Sequence, residues 1–550
     1  MTMRLSKSLT APTDHRFKNG IKIKLELKVG SHTSTVEAGD IKELQINQES
    51  YGFEAMVRFW VVSLKSRDQD ELISHFVKDT PIDVTLTLER KFERPGSNTT
   101  PWVLKGLIYH REIFEQQYPA VSGEPVLQRE YKIFFADPAS VLWTQHHPVD
   151  LYVDKSLKDI VADQTNERIQ WSTTWKEATT AYHIHSLALG HEYGPASFYD
   201  FMHWFAATRH GFIFFDSKLR KYELAGTKKD VGKVQELDPD DLEDTEILFP
   251  EISRVTKTIH NSFANKTTSQ VIKNTVAVTG VREDIVLTNP AASWATNRKK
   301  FETIRNTTKE HILTLTWGRL PTVNIQPGCQ LKPSSDSWSP NRMSTNTTYR
   351  VFRILFHAES ENQGATENVG EESNTYSIAL STELEPKSSK AQRCAAFHTP
   401  RWPLVVEAKV QSSSGAKTDL TYQPVKDSKA SVDTYNLEVG VFNKLKLRAP
   451  YRPQSLNNHC YVPFYKDQRV MVALDFQSAE IIRVLDWRKG AKQPTDSQSN
   501  HLLLGKPAEG HTSMLYSHVD NKAQFTIERD DKDNKQVLEL KDGVIVFETS

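Results

Sequence analysis

Alternation of apolar and polar residues with a period of two runs through most of the chain, and it predicts strands far more often than helices. In the run GFEAMVRFWVV, Phe53, Ala55, Val57, Phe59 and Val61 share one face, while Met56, Trp60 and Val62 put apolar groups on the other. A strand of that kind is expected to be covered on both sides. Ile82, Val84, Leu86 and Leu88 repeat the alternation, as do residues 103–109 and 130–135. With turn residues between them, these strands predict a small antiparallel barrel over residues 1–150.

A mixed segment follows. Ser156 with Asp159 three positions on is an N-cap with an acidic partner, so a short helix should begin there. SFYDFMHWFAATRH sets Phe198, Phe201, Met202, Phe205 and Ala206 at helical spacing, and Gly211 is expected to end that helix. FIFFD then reads as a strand with residues 221–224 as its hairpin partner, giving an α+β middle domain over 151–250. The acidic run ELDPDDLEDTE at 236–246 reads as a linker.

Strands return in VIKNTVAVTG, HILTLTWG, YRVFRILFHA and NTYSIALSTELE. They predict a second barrel over 251–426, interrupted by the polar segment 359–374. YNLEVGVFNKLKL, VPFYKDQRVMVALDF and EIIRVLDW have the size of an OB-type barrel, placed at 427–490. Past KGAKQPTDSQSN, residues 491–550 hold the short strands SMLYS, AQFTIER, QVLELK and VIVFET, with turns at HVDNK, DDKDN and DG. The whole is expected to be mainly β and multi-domain.

Those last strands carry too little apolar area for a core of their own, and bare sheet edges in water invite aggregation. Several copies wound about one axis would cover one another, so the sequence itself suggests a homotrimer. Phe525, Ile527, Leu538, Leu540, Ile545 and Phe547 are expected to fill its interior.

Composition adds mostly exclusions. With 38% hydrophobic and 25% charged residues the chain reads as folded, and 69 Lys+Arg against 69 Asp+Glu give no electrostatic reason to expect nucleic acid or an anionic membrane surface. No apolar run is long enough to span a bilayer, and MTMRLSKSLTAPTDHRF lacks a signal-peptide core, so folding in the cytoplasm is expected. Cys329, Cys394 and Cys460 lie far apart without a CxxC and read as reduced thiols.

Candidate chemistry is thin. His183, His185 and His191 with Glu192 have spacings a metal site could use, and His203 and His210 lie two helical turns apart. Ordinary surface or half-buried histidines in a chain with 19 of them are the plainer reading. Asp530, Asp531, Asp533 and Asn534 imitate a calcium loop, but flanking strands make a hairpin turn the better expectation. Trp143, Trp171 and Trp175 could contact carbohydrate, with core packing preferred for each. No phosphate loop, G-x-S-x-G or Cys–His signature is present, so no catalytic residue and no cofactor is assigned.

Four stretches in chain order carry a resemblance: YKIFFADPASVLWTQHHPVDLYVDKSLKDIVADQ, SFYDFMHWFAATRHGFIFFDSKLRKYEL, CYVPFYKDQRVMVALDFQSAEIIRVLDW and QFTIERDDKDNKQVLELKDG. Their order is similar to that of the VgrG spike family of type VI secretion and of the fused hub and spike of contractile phage tails. The family's glycine before the V-x-V strand is replaced by Asp467 and Gln468, and its GDPDRP-like turn by 477–479. The resemblance implies two hub β-barrels with an α+β insert, an OB-like barrel and an intertwined trimeric β-prism. It implies no enzyme, but a trimeric hub that adapts a six-fold tube and baseplate to a needle that punctures a target membrane. Implied partners are a second and third copy, an Hcp-like tube protein, baseplate proteins, a PAAR-type tip protein, and effectors or adaptors. The machine could be a secretion system, an extracellular injection particle or a phage. Assembly in the producing cell's cytoplasm and ejection by the machine are expected. The rival readings are a cell-wall hydrolase on a tail scaffold and a trimeric adhesin or carbohydrate-binding tail protein.

Overall fold

The computed structural model describes residues 17–64, 70–92, 100–121, 124–190, 196–261, 269–287, 292–307, 310–333, 347–411, 425–427, 432–450, 464, 467–485, 500–506, 510–520, 522–531 and 533–550. They form two compact units, one of residues 1–146, 162–179 and 197–398, the other of 147–161, 180–196 and 399–550. Strand dominates both, as the period-two pattern predicts.

The first unit opens with β1 (Phe17–Val29), β2 (His32–Glu37), β3 (Ile41–Glu49), β4 (Gly52–Leu64), β5 (Ile82–Arg90), β6 (Trp102–Val121) and β7 (Glu124–Ala136). Their inward residues are those the alternation selects: Phe53, Ala55, Val57 and Phe59 on β4, and Ile82, Val84, Leu86 and Leu88 on β5, are all buried. The strands that follow are β8 (Val149–Ser156), β9 (Gln170–Thr173), β10 (Ala181–Ala188), β11 (Phe212–Asp216), β12 (Lys221–Ala225), β13 (Val231–Leu237) and β14 (Leu242–Leu248). After them come β15 (Thr256–Asn261), β16 (Ser269–Ile272), β17 (Arg282–Leu287), β18 (Ile312–Trp317), β19 (Cys329–Pro333), β20 (Tyr349–Ser360) and β21 (Ser373–Pro386).

Residues 1–150 do not close a barrel alone, contrary to expectation. Pairings run β20–β3–β4–β7–β6–β5–β1–β21, and the hairpin pairing of β20 with β21 completes a ring of eight strands. The same hairpin is the middle of a second sheet, in the order β13–β19–β20–β21–β18–β14. Each hairpin strand changes partner along its length. On β21, Phe17–Lys22 of β1 pairs with residues 373–378, and β18 takes over at 380–384. On β20, β3 pairs with residues 353–359 and β19 with Arg350 and Tyr349, the register shifting between Val351 and Arg353. An irregularity of that kind bends a strand, which lets one strand serve two sheets. The polar segment 359–374 is therefore the hairpin's own connection. It is held down by Lys42, fully buried, whose Nζ donates to the carbonyls of Gly39 (2.8 Å) and Glu367 (3.1 Å).

The acidic run 236–246 is structured rather than a linker. It ends β13, makes one turn and becomes β14, and its Asp241 is buried. Asp241 Oδ2 accepts from Thr322 N (2.9 Å) and Thr322 Oγ1 (2.6 Å), and Oδ1 accepts from Arg319. Burial pushes this carboxyl up, but the Thr322 and Arg319 donors outweigh it and hold it below its usual range. Of VIKNTVAVTG only the beginning is strand, since β16 ends at Ile272. Residues 249–311 are a separate insertion between the paired strands β14 and β18. It is the sheet β16–β15–β17 with a helix, Ala292–Thr307, that the strand-dominated reading misses.

Helices behave as their caps dictate. Helix α1 (Leu157–Asp163) is capped reciprocally: Asp159 Oδ2 accepts from Ser156 N (2.9 Å) and Oγ (2.6 Å). Helix α2 (Phe198–Arg209) repeats the device with Ser197 and Asp200, and buries Phe198, Phe201, Met202, Phe205 and Ala206. The residue that turns left-handed after α2 is His210 (φ 57°), not Gly211. Gly211 is required for a different reason: a Cβ there would stand 2.5 Å from the Trp175 ring.

In the second unit β22 (Leu404–Val410), β23 (Val425–Asp427), β24 (Val432–Val439), β25 (Leu445–Pro450), β26 (Arg469–Leu474) and β27 (Ala479–Val484) form one sheet. Because β22 pairs with β24 and β26, this sheet begins before the expected boundary at 427. The hairpin partners β8 and β10, expected in the middle domain, contribute Leu151 and Ile184 to the same core as Val470, Val472 and Leu437. At the site of the replaced glycine, Asp467 itself adopts the left-handed backbone (φ 67°), and Lys409 Nζ meets its carboxylate at 2.8 Å. Asx residues tolerate that conformation best after glycine.

Two predictions follow from the first unit. Gly211→Ala should cost about 1–3 kcal/mol, the usual range for overpacking, read by denaturant unfolding, whereas His210→Gly should cost far less. Equal costs would contradict the Trp175 explanation. The second concerns Lys228, whose Nζ contacts the buried carboxylate of Glu385. Burial pushes Lys228 down to about 8, against the pull of Glu385. Between pH 8 and its ordinary value of 10.5 the unfolded chain then binds more protons than the folded one, so stability rises with pH across that window. Lys228→Met should flatten this rise; an unchanged slope would show that Lys228 titrates normally.

Candidate assembly surface

The final sheet is a five-stranded antiparallel meander: β28 (Asn500–Lys506), β29 (Gly510–Val519), β30 (Lys522–Asp531), β31 (Asn534–Lys541) and β32 (Val544–Thr549). Its turns are set by local chemistry. Asp542 (φ 44°) and Gly543 (φ 78°) are both left-handed, the two-residue turn that an Asp-Gly pair favours, and Lys522 Nζ reaches Asp542 at 2.5 Å. Asp531 and Asn534 pair across the preceding hairpin, so the run from Asp530 to Asn534 is a strand-flanked turn.

Register decides which side chains share a face. Tyr516, Phe525, Leu540 and Ile545 lie opposite one another across four strands, and Met514, Ile527, Leu538 and Phe547 form the adjacent row. All six residues assigned to a trimer interior from the sequence therefore share one face. Met514 and Tyr516 join them, and the sequence reading missed both; the alternation in SMLYS was the available signal. The opposite face is more polar, with Ser513, Ser517, Thr526, Glu528 and Glu539, and ion pairs such as Lys535–Glu528 (3.1 Å).

The apolar face is largely bare in the single chain. Phe547 is 79% exposed, Ile545 61%, Tyr516 42% and Leu540 40%, while Phe525, Ile527 and Leu538 are half-buried. Apolar rows of this extent on a solvated sheet mark an interaction surface.

The histidines are not gathered. His185 is buried, with its Nε2 3.0 Å from Gln477 Nε2; His183 pairs with exposed Asp154 at 3.2 Å; His191 and Glu192 lie outside the described residues. His203 sits inside α2 against Tyr199, and His210 ends it. Among the described residues no group of three or more His, Cys, Asp or Glu is placed to hold a metal. Trp143 is buried edge-on against Phe198, Trp175 packs on Phe205, and Trp171 is half-buried in β9. Burial pushes the Cys329 thiol up to about 11 and the Cys394 thiol up to about 12, so both are unreactive near neutrality; Cys460 is outside the described residues.

No family model matches the sequence, and no curated protein matches it either. Solved structures do. A chain of the half-lidded Francisella PdpA–VgrG complex superposes over 98% of this chain and 89% of its own length, with a TM-score of 0.62 at 13% identity. The lidless complex gives a TM-score of 0.61 at 13% identity, over 98% of this chain and all of that one. The chain has a VgrG-type fold. At this identity the likeness is one of fold. At the two departures noted in the sequence, Asp467 takes a left-handed backbone and Ser478 O accepts from Asp475 N (2.8 Å).

Proposed function

We propose that this chain is the subunit of a homotrimeric, non-enzymatic hub and spike of a contractile injection machine. The observation that carries the reading is the bare apolar face of the terminal meander, on a chain with the VgrG-type fold. Fully burying a side chain the size of Leu, Ile or Phe yields about 1.5–3 kcal/mol. Three such faces turned toward one axis would form a small prism with the apolar rows inside and the Glu- and Ser-bearing face outside. The hub would seat a tube protein and baseplate proteins on one side and convey force to the needle on the other. A PAAR-type tip protein, effectors or adaptors would travel with it. Function would then lie in rigidity, with the target membrane met only by puncture, and with assembly in the producer's cytoplasm before ejection.

Light scattering on the purified full-length chain should give three times 62.8 kDa. Leu538→Asp or Leu540→Asp should reduce that mass to one chain, because each would bury a carboxylate without a partner. A wild-type monomer, or a trimer that survives both changes, would overturn the reading.

A further inference from the structure

The backbone passes between the two compact units five times, after residues 146, 161, 179, 196 and 398. Four of these passages are tied to one another around the first turn of α2. Ser197, where the chain re-enters the first unit, donates to Asp200 Oδ2 from its N (2.9 Å) and its Oγ (2.7 Å). His398, the last residue before the chain leaves that unit, donates from its N to Asp200 Oδ1 (2.9 Å). Phe198 N donates to the carbonyl of His146 (2.8 Å), and His146 Nε2 lies 2.7 Å from Gln164 Oε1. His146 ends one stretch of the first unit, and Gln164 stands near the start of the next.

Capping alone does not explain how Asp200 is placed. Asp159 closes the same box with Ser156 on α1 and stays exposed, whereas Asp200 is buried. A buried carboxylate needs its acceptor capacity filled, and the His398 N–H supplies a donor that the cap does not require. The segment that leads to His398, residues 387–398, has no regular secondary structure and runs along α2 in the opposite direction. It is stitched down at the far end of the helix, where Gln392 Nε2 donates to the carbonyls of Ala206 (2.7 Å) and Gly211 (2.9 Å). The Arg393 guanidinium next to it lies 3.9 Å from the centre of the Phe352 ring.

We infer that Asp200 is a latch in the path by which force passes along the chain from one unit to the other. Tension arriving at Thr399 meets the His398–Asp200 bond before it can peel Arg393 and Gln392 from their places. Asp200 hands that load to α2 and, through Ser197 and Phe198, to the neighbouring passages. A load shared by several passages stresses each one less than a load carried by one. This inference rests on the reading above that the chain conveys force, and it names the residue that couples the passages.

Optical-trap pulling on the full-length protein tests it. Handles sit at exposed Leu219 and Val441, one in each unit, and control handles at Leu219 and Val77, both in the first. His398→Pro removes the N–H donor and leaves the Ser197 cap, while Asp200→Asn leaves a single oxygen for the donors on both sides. Each should raise the rupture rate at fixed force across the units about tenfold, with the control pair changed by about twofold or less. Should His398→Pro fail to fold, Asp200→Asn decides alone. A rupture rate that Asp200→Asn leaves unchanged, or an equal acceleration of both handle pairs, overturns the latch. Light scattering reads the trimer separately. A trimer whose rupture ignores both variants keeps the assembly and loses the latch, and a monomer that shows the tenfold effect does the reverse.

Discussion

A strand has only two edges, and in the first unit β20 and β21 give one edge to each other and divide the second between two further partners. Their mutual pairing closes the ring of eight strands and, in the same stroke, forms the middle of the second sheet. Large side chains are fully buried at this junction. Trp317 is wholly buried and its Nε1 donates to Thr382 Oγ1 at 2.9 Å, while Tyr376, also buried, donates to the carbonyls of Ala38 (2.6 Å) and Ile41 (3.0 Å). Trp317 and Tyr376 thus each find a partner for the polar atom they bring into this core, as burial requires. The insertion 249–311 and the acidic strand β14 can hang from the second sheet because the hairpin already fixes that sheet's position against the ring.

Local features of the sequence were readable because they are decided locally. The Ser156–Asp159 and Ser197–Asp200 caps, the aromatic stripe of α2, the alternation in β4 and β5 and the Asp542–Gly543 turn all act within a few residues. The six apolar positions of the last strands came out on one face for the same reason, since a period of two fixes the face once the strands are in register. What failed was long-range assignment. Nothing in YRVFRILFHA marks it as belonging to two sheets, and Leu404–Val410 reads as a strand without announcing that β24 and β26 flank it. The acidic run misled because charge density normally signals solvated chain; here a single residue of the seven, Asp241, is buried by three donors that lie about 80 positions away.

Asp467 and Gly211 show two different ways in which the backbone constrains a residue. A left-handed backbone is demanded at 467, and an aspartate anchored by Lys409 meets the demand in place of glycine. At 211 the demand is for the absence of a side chain, which only glycine satisfies, and the left-handed position falls one residue earlier on His210. Both positions follow from backbone geometry, but only the second is closed to substitution. Motif comparison alone treats them alike.

The terminal meander differs from the rest of the chain in what its apolar residues gain by folding. In the sheets of the first unit most alternating apolar residues reach the core. In β32, Ile545 and Phe547 keep most of their surface in water, and on β29 Met514 and Tyr516 stay exposed to a smaller degree. A single chain derives little stability from them, while paying solubility for exposing them. The same accounting holds for Val271 and Val286 on the insertion. Two apolar surfaces are thus left unexplained by the folding of one chain.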